Sequence, residues 1–167
     1  DEAGNYHNIS REFEVTMGPK PNLEINNIKF SESPVRNGQT VTVTVNVTNY
    51  GTANASNLNV FFKVGNEDIP VGEFTVEEDG EETDNVIPQD TTRMVKFEWS
   101  VDSGTGSKTI SVNITDGNEP AQWHTDNAMN KDVTIEPPAW RRYIVYIIIP
   151  VVIVGVVVGL YYYRERY

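Results

Sequence analysis

From Ile144 to Leu160 the chain reads IVYIIIPVVIVGVVVGL, a run without one charged residue. Such a run has to be covered by protein or by lipid. Drawn from Tyr143 to Tyr163 it makes a helix of roughly 21 residues and ~30 Å, the thickness of a bilayer core. Tyrosines stand at both ends where an interfacial aromatic belt would lie, and Arg141, Arg142, Arg164 and Arg166 bracket the run. The competing reading, a core helix of a soluble protein, fits poorly with so uniform a β-branched composition. A transmembrane helix over 143–163 is therefore expected, with 137–142 as a Pro-rich connector and 164–167 as a short cytoplasmic tail. Pro150 removes one helical hydrogen bond and predicts a kink. Gly155 and Gly159 form a GxxxG pair that would let a second helix approach closely, from another copy or another membrane subunit.

Two arginines flank each end of the run, so charge asymmetry does not orient it. Four Asn-X-Ser/Thr sequons break the tie: Asn8, Asn46, Asn54 and Asn113 are glycosylation candidates, which favours an extracytoplasmic domain. A tail-anchored protein with a cytoplasmic domain is the alternative.

The soluble part reads as strands. Thr40 to Thr48 is TVTVTVNVT, a strict alternation that buries Val41, Val43, Val45 and Val47 on one face. Similar inward rows are Ile110, Val112, Ile114; Val95, Phe97, Trp99, Val101; and Leu58, Val60, Phe62, Val64. Fainter strands are expected at 23–30, 69–76 and 132–135. Turn residues separate these segments, and no sustained helical period occurs outside the apolar run. About seven short strands on roughly 115 residues predict an all-β, immunoglobulin-like antiparallel β-sandwich plus one C-terminal transmembrane helix. Trp99 is expected at the centre of its core. The chain has no cysteine, which removes disulfides and thiolate chemistry and leaves the core as the source of stability. Its net charge of −11 argues against nucleic acid as a partner.

The start of the chain resembles the end of the sandwich. Asn5-Tyr6-His7 aligns with Gln122-Trp123-His124, and Glu14-Val15-Thr16 with Asp132-Val133-Thr134. Residues 1–20 are thus expected to be the closing strand of a preceding repeat with its linker, and 21–136 one complete copy, the membrane-proximal piece of a tandem array.

Pro21-Asn22-Leu23, Asn37-Gly38-Gln39-Thr40-Val41, Asn49-Tyr50-Gly51-Thr52-Ala53-Asn54-Ala55, Phe97-Glu98-Trp99 and Asp126-Asn127 with Asn130 together resemble the cell-adhesion-related CARDB domains of bacterial and archaeal surface proteins. The resemblance covers Pro21 to Ile135. It implies surface display, tandem arrays and binding or spacing roles, with no catalytic residue to transfer. The acidic insertion Glu77 to Asp84 and the closing turn depart from the family pattern.

Chemistry is sparse. His7 and His124 alone could act as bases near neutral pH, and no set of histidines provides a metal site, so catalysis and a resident cofactor are not expected. Asp116, Asn118, Glu119 and Asp126 could gather Ca²⁺ near the closing turn, as could the 77–84 loop, although neither follows EF-hand spacing. The expected function is a non-catalytic, membrane-anchored surface module for adhesion, spacing or protein interaction. An accessory single-span subunit of a membrane complex, and a carbohydrate-binding domain using Tyr50, Tyr6 or Trp123, stay open beside it. Partners would be membrane lipid, a protein docked on the helix or a strand edge, or a surface glycan.

Overall fold

A computed structural model describes residues 18–166. The expected closing strand at 1–17, with Asn8, Tyr6 and His7, lies outside the described residues.

The alternating segments form two stacked five-stranded sheets. The first has the order β1-β3-β8-β6-β7, from β1 (Leu23–Phe30), β3 (Thr40–Asn49), β8 (Thr91–Ser100), β6 (Phe74–Glu78) and β7 (Glu81–Thr83). The second has the order β2-β10-β9-β4-β5, from β2 (Val35–Arg36), β10 (Ala128–Glu136), β9 (Gly106–Asp116), β4 (Leu58–Val64) and β5 (Glu67–Ile69). Seven of these strands have five or more residues, and β2, β5 and β7 are fragments of two or three. The topology is immunoglobulin-like, as the spacing predicts.

Each inward row meets the other sheet. Val41, Val43, Val45 and Val47 of β3 are fully buried, as are Ile110, Val112 and Ile114 of β9. Period-two alternation puts every second side chain on one face, so a strand with valine at those positions can bury all of them at once. Trp99 sits at the centre as expected. Its ring lies 5.4 Å from Phe62, edge to face, and Phe62 stands 5.2 Å from Phe97. Such tilted pairs match a ring edge to a π face. In β4 the pattern fades outward: Phe62 and Val64 are buried, while Leu58 and Val60 are half-buried.

Three boundaries differ from the sequence reading, each for a local reason. The strand expected at 69–76 is two strands in different sheets. Residues 67–69 pair with β4 and 74–77 pair with β8, with Pro70, which has no N–H to donate, ending the first ladder. The acidic loop at 77–84 is instead the β6–β7 hairpin, turned by Asp79 at φ 52° and Gly80 at φ 90°. Positive φ at both turn positions is the geometry that Asp-Gly supplies. Glu77 pairs with Lys96, and Glu78 with Arg93 at 2.8 Å, so part of the acidic charge is matched across the sheet. The last strand begins at Ala128, four residues early, because backbone pairing with β9 extends through Asn113.

The chain enters and leaves at opposite ends. Leu23 pairs with Asn49 at the far end of β3, whereas the amide of Asn37, just before the near end, donates to the Glu136 carbonyl at 2.9 Å. A ten-residue strand separates these ends by about 30 Å. After Glu136 only Pro137, Pro138 and Ala139 precede the helix α1 (Trp140–Arg166).

Phe62→Ala should destabilise the sandwich by about 3–5 kcal/mol, because it opens a cavity beneath two aromatic partners. Trp99→Phe should cost clearly less, since the buried Trp99 Nε1 has no hydrogen-bond partner to lose. Urea unfolding of residues 18–139 checks both, and equal costs would contradict the assigned packing.

Candidate functional site

The polar residues singled out in the sequence converge at the end of the sandwich where the chain enters, farthest from α1. Asp116, the last residue of β9, is buried. Its Oδ2 accepts the amides of Ser56 at 2.8 Å and Asn57 at 2.7 Å, and its Oδ1 accepts that of Asn118 at 2.7 Å. Glu119 has a completely buried side chain. Its Oε1 accepts the Leu23 amide at 2.8 Å, and its Oε2 accepts Asn127 Nδ2 at 2.6 Å. Buried carboxylates persist when charge-assisted hydrogen bonds replace their water. Here the donors come from the start of β1 in one sheet and from the residue before β10 in the other, so one carboxylate ties the two sheets together.

Burial pushes the Glu119 carboxyl above its ordinary range, opposed by the Leu23 amide, the Asn127 side chain and His124. His124 Nε2 lies 3.9 Å from Glu119 Oε2, too far for a hydrogen bond.

Asn49 completes this end. Its Oδ1 accepts the amides of Asn22 and Gly51, and its Nδ2 donates to the carbonyls of Ala53 at 2.8 Å and Ile87 at 3.0 Å. Gly51 is constrained by space: a Cβ there would lie 2.3 Å from the Lys20 carbonyl oxygen. Ala55 is buried and bridges to Ile87. The Asn-Tyr-Gly-Thr-Ala-Asn-Ala motif thus builds the turn over the end of the core.

Of the residues expected to gather Ca²⁺, Asp116 and Glu119 direct their oxygens at amides. Asn118 contributes its backbone N–H, and Asp126 is exposed and contributes its carbonyl to the Ile25 amide at 3.2 Å. Among the described residues no group of three or more His, Asp or Glu side chains could hold a metal ion. The four form a hydrogen-bonded cap, not a cage. The 77–84 loop is the hairpin described above.

The sequons fall in three settings. Asn46 lies half-buried on the outer face of β3, and the hydroxyl of its Thr48 is bonded to Asn26 and Thr92. Asn54 is exposed in the end loop, with Oδ1 accepting the Gln89 amide. Asn113 lies on the outer face of β9. Sequence reasoning missed Phe61, which is 54% exposed and directly opposite Asn113. The signal was present, since Phe61 stands at a polar position between Asn59 and Lys63.

At the other end of the molecule α1 has 27 residues, and its segment Tyr146–Arg166 is long and apolar enough to cross a membrane. None of that segment is buried against the sandwich. Nothing stands within 4 Å of a Cβ placed at Gly155 or Gly159, so the GxxxG face is open. Tyr161 Oη donates to Glu165 Oε1 at 2.7 Å, one turn along the helix.

The model of the CARDB family matches residues 20–131. The chain is similar to solved structures, one of which shares the fold. The crystal structure of a CARDB domain from Pyrococcus furiosus, in complex with di-metal ions, is 15% identical over 74% of this chain and 100% of that one, with a TM-score of 0.50. The archaellum periplasmic stator protein FlaG of Sulfolobus acidocaldarius is 16% identical over 67% of this chain and 98% of its own, with a TM-score of 0.45. No curated protein sequence matches significantly.

Because the folded Glu119 is harder to ionise than the unfolded one, the native state binds the extra proton. Its contribution to stability is fully present below the ordinary glutamate range and is lost as pH rises through the raised value. Glu119→Gln should therefore flatten the pH dependence of the melting temperature from the ordinary glutamate range upward. Asn127 can turn its unbonded Oδ1 toward the new amide. An unchanged pH profile in that variant would refute the assignment.

Proposed function

The chain belongs to the CARDB family, and from that premise we propose that it is a non-catalytic, membrane-anchored surface module that spaces or presents neighbouring domains outside the cell. The observation that carries this reading is the joint placement of the two ends. The strands deliver the chain to α1 at one end of the sandwich, and the polypeptide enters at the other, about 30 Å away. A module threaded this way extends along its own axis from the bilayer.

The connector supports the same reading. Pro137-Pro138-Ala139 is three residues long, and proline fixes φ, so the sandwich stands close to the membrane with little freedom to swing. Arg36 Nε, 3.4 Å from Glu136 Oε2, braces the exit. The buried carboxylates at the far end hold loops through backbone amides, which is in keeping with a structural module. The proposed domain division is 21–136 as one CARDB unit, 137–142 as connector, the last three residues of which already open α1, 143–163 as anchor and 164–167 as cytoplasmic tail, with 1–20 closing a preceding copy in a tandem array.

Protease added to intact cells should remove the sandwich and leave an anchored fragment, and deletion of residues 143–163 should move the protein to the soluble fraction. Full protection of the sandwich in intact cells, with cleavage only after lysis, would reverse the orientation.

A further inference from the structure

The outer face of the second sheet is polar apart from Phe61 and the small Ala128. Around that ring β4 presents Asn59 and Lys63, and β9 presents Ser111, Asn113 and Thr115. The register places Phe61 directly opposite Asn113, with Asn59 opposite Thr115, so both sequon side chains flank the ring. On its other side Asn113 faces Ala128, whose methyl group leaves the space above the strand open. Direct cross-strand neighbours have Cβ atoms about 5 Å apart, within reach of one sugar ring.

The carboxamide is turned for attachment. Asn113 Oδ1 is the buried atom, and it has no hydrogen-bond partner. Among the described residues no hydrogen bond holds the side chain, which leaves the half-buried carboxamide free to offer Nδ2 to solvent. Neither other described sequon combines these features. Asn46 has Asn27 and Met94 as its cross-strand neighbours, and Asn54 lies in a loop.

We propose that Asn113 carries an N-linked glycan whose first sugar lies over the Phe61 ring. Attachment uses a polyprenyl-phosphate-linked oligosaccharide. Asn113 Nδ2 forms a bond to the anomeric carbon as that carbon's bond to the phosphate oxygen breaks. The phosphate leaves with the electron pair, and one Nδ2 proton passes to a base of the transferring enzyme. The axial C–H bonds of a pyranose present a weakly positive face, which matches the negative face of an aromatic ring. The exposed phenylalanine is then covered by the protein's own modification. The inference rests on the extracytoplasmic orientation proposed above.

The test uses the full chain, made in cells that glycosylate secreted Asn-X-Thr sites and purified in detergent. Peptide mass spectrometry should find sugar on Asn113 and lose it in Thr115→Ala. N113Q should lower the melting temperature by about 4 °C. In the F61L background, which keeps an apolar side chain, the same change should have less than about a quarter of that effect. A protein-docking role for Phe61 would make the two substitutions additive and would overturn the stacking. A bare Asn113 on a sandwich that protease reaches from outside the cell would overturn the proposal alone. A sandwich protected in intact cells would overturn the orientation and the proposal with it.

Discussion

Two sheets with no disulfide between them are held by the apolar surface their inner faces share. Val41, Val43, Val45 and Val47 lie fully buried in β3, between β1 and β8, and opposite them the isoleucines and valine of β9 close the second layer. Each such side chain contributes about 1.5–3 kcal/mol when removed from water. That gain is offset by chain entropy, so the whole fold rests on a narrow margin. Everything else is arranged around that core. Three of the four edge strands, β2, β5 and β7, have only two or three residues, and β7 carries Glu81 and Glu82, charges that discourage pairing with another chain. The polar end is sealed by carboxylates that accept backbone amides.

Alternation made the long strands legible. The segment 40–48 differs from the observed β3 by one residue, because valine at every second position admits only one register for burial. Short elements escaped for the opposite reason. β2, β5 and β7 are too short to show any period, and they exist because neighbouring strands offer unpaired backbone. The hairpin at 77–84 was hidden by its charge. Seven acidic residues between Glu73 and Asp84 suggest a solvated loop, although Asp79-Gly80 carries its own turn signal.

The chemistry at the far end was harder to read, since a carboxylate that binds calcium and one that accepts amides are the same residue in a sequence. Only the tertiary arrangement shows Asp116 directed at Ser56 and Asn57, sixty positions or so earlier in the chain. The family motif at 49–55 is clearer in retrospect. Asn49 supplies both donors and acceptors to the turn, and Gly51 occupies a position where any side chain would strike the backbone at Lys20. Such residues build the end loop.

The two-residue pairing of β2 with β10 is parallel, unlike every other ladder in the sandwich. Tension applied between the two ends of the sandwich would draw β10 one way and the β1–β2 segment the other. The bonds joining Val35 and Arg36 to Ile135 and Glu136 are then loaded side by side, together with the Asn37 amide on the Glu136 carbonyl. Bonds arranged this way fail together or not at all, whereas a hairpin pulled open gives up its bonds one at a time. Under such a load the smallest strand pair in the molecule would act as a mechanical latch, rigid up to a threshold and brittle beyond it.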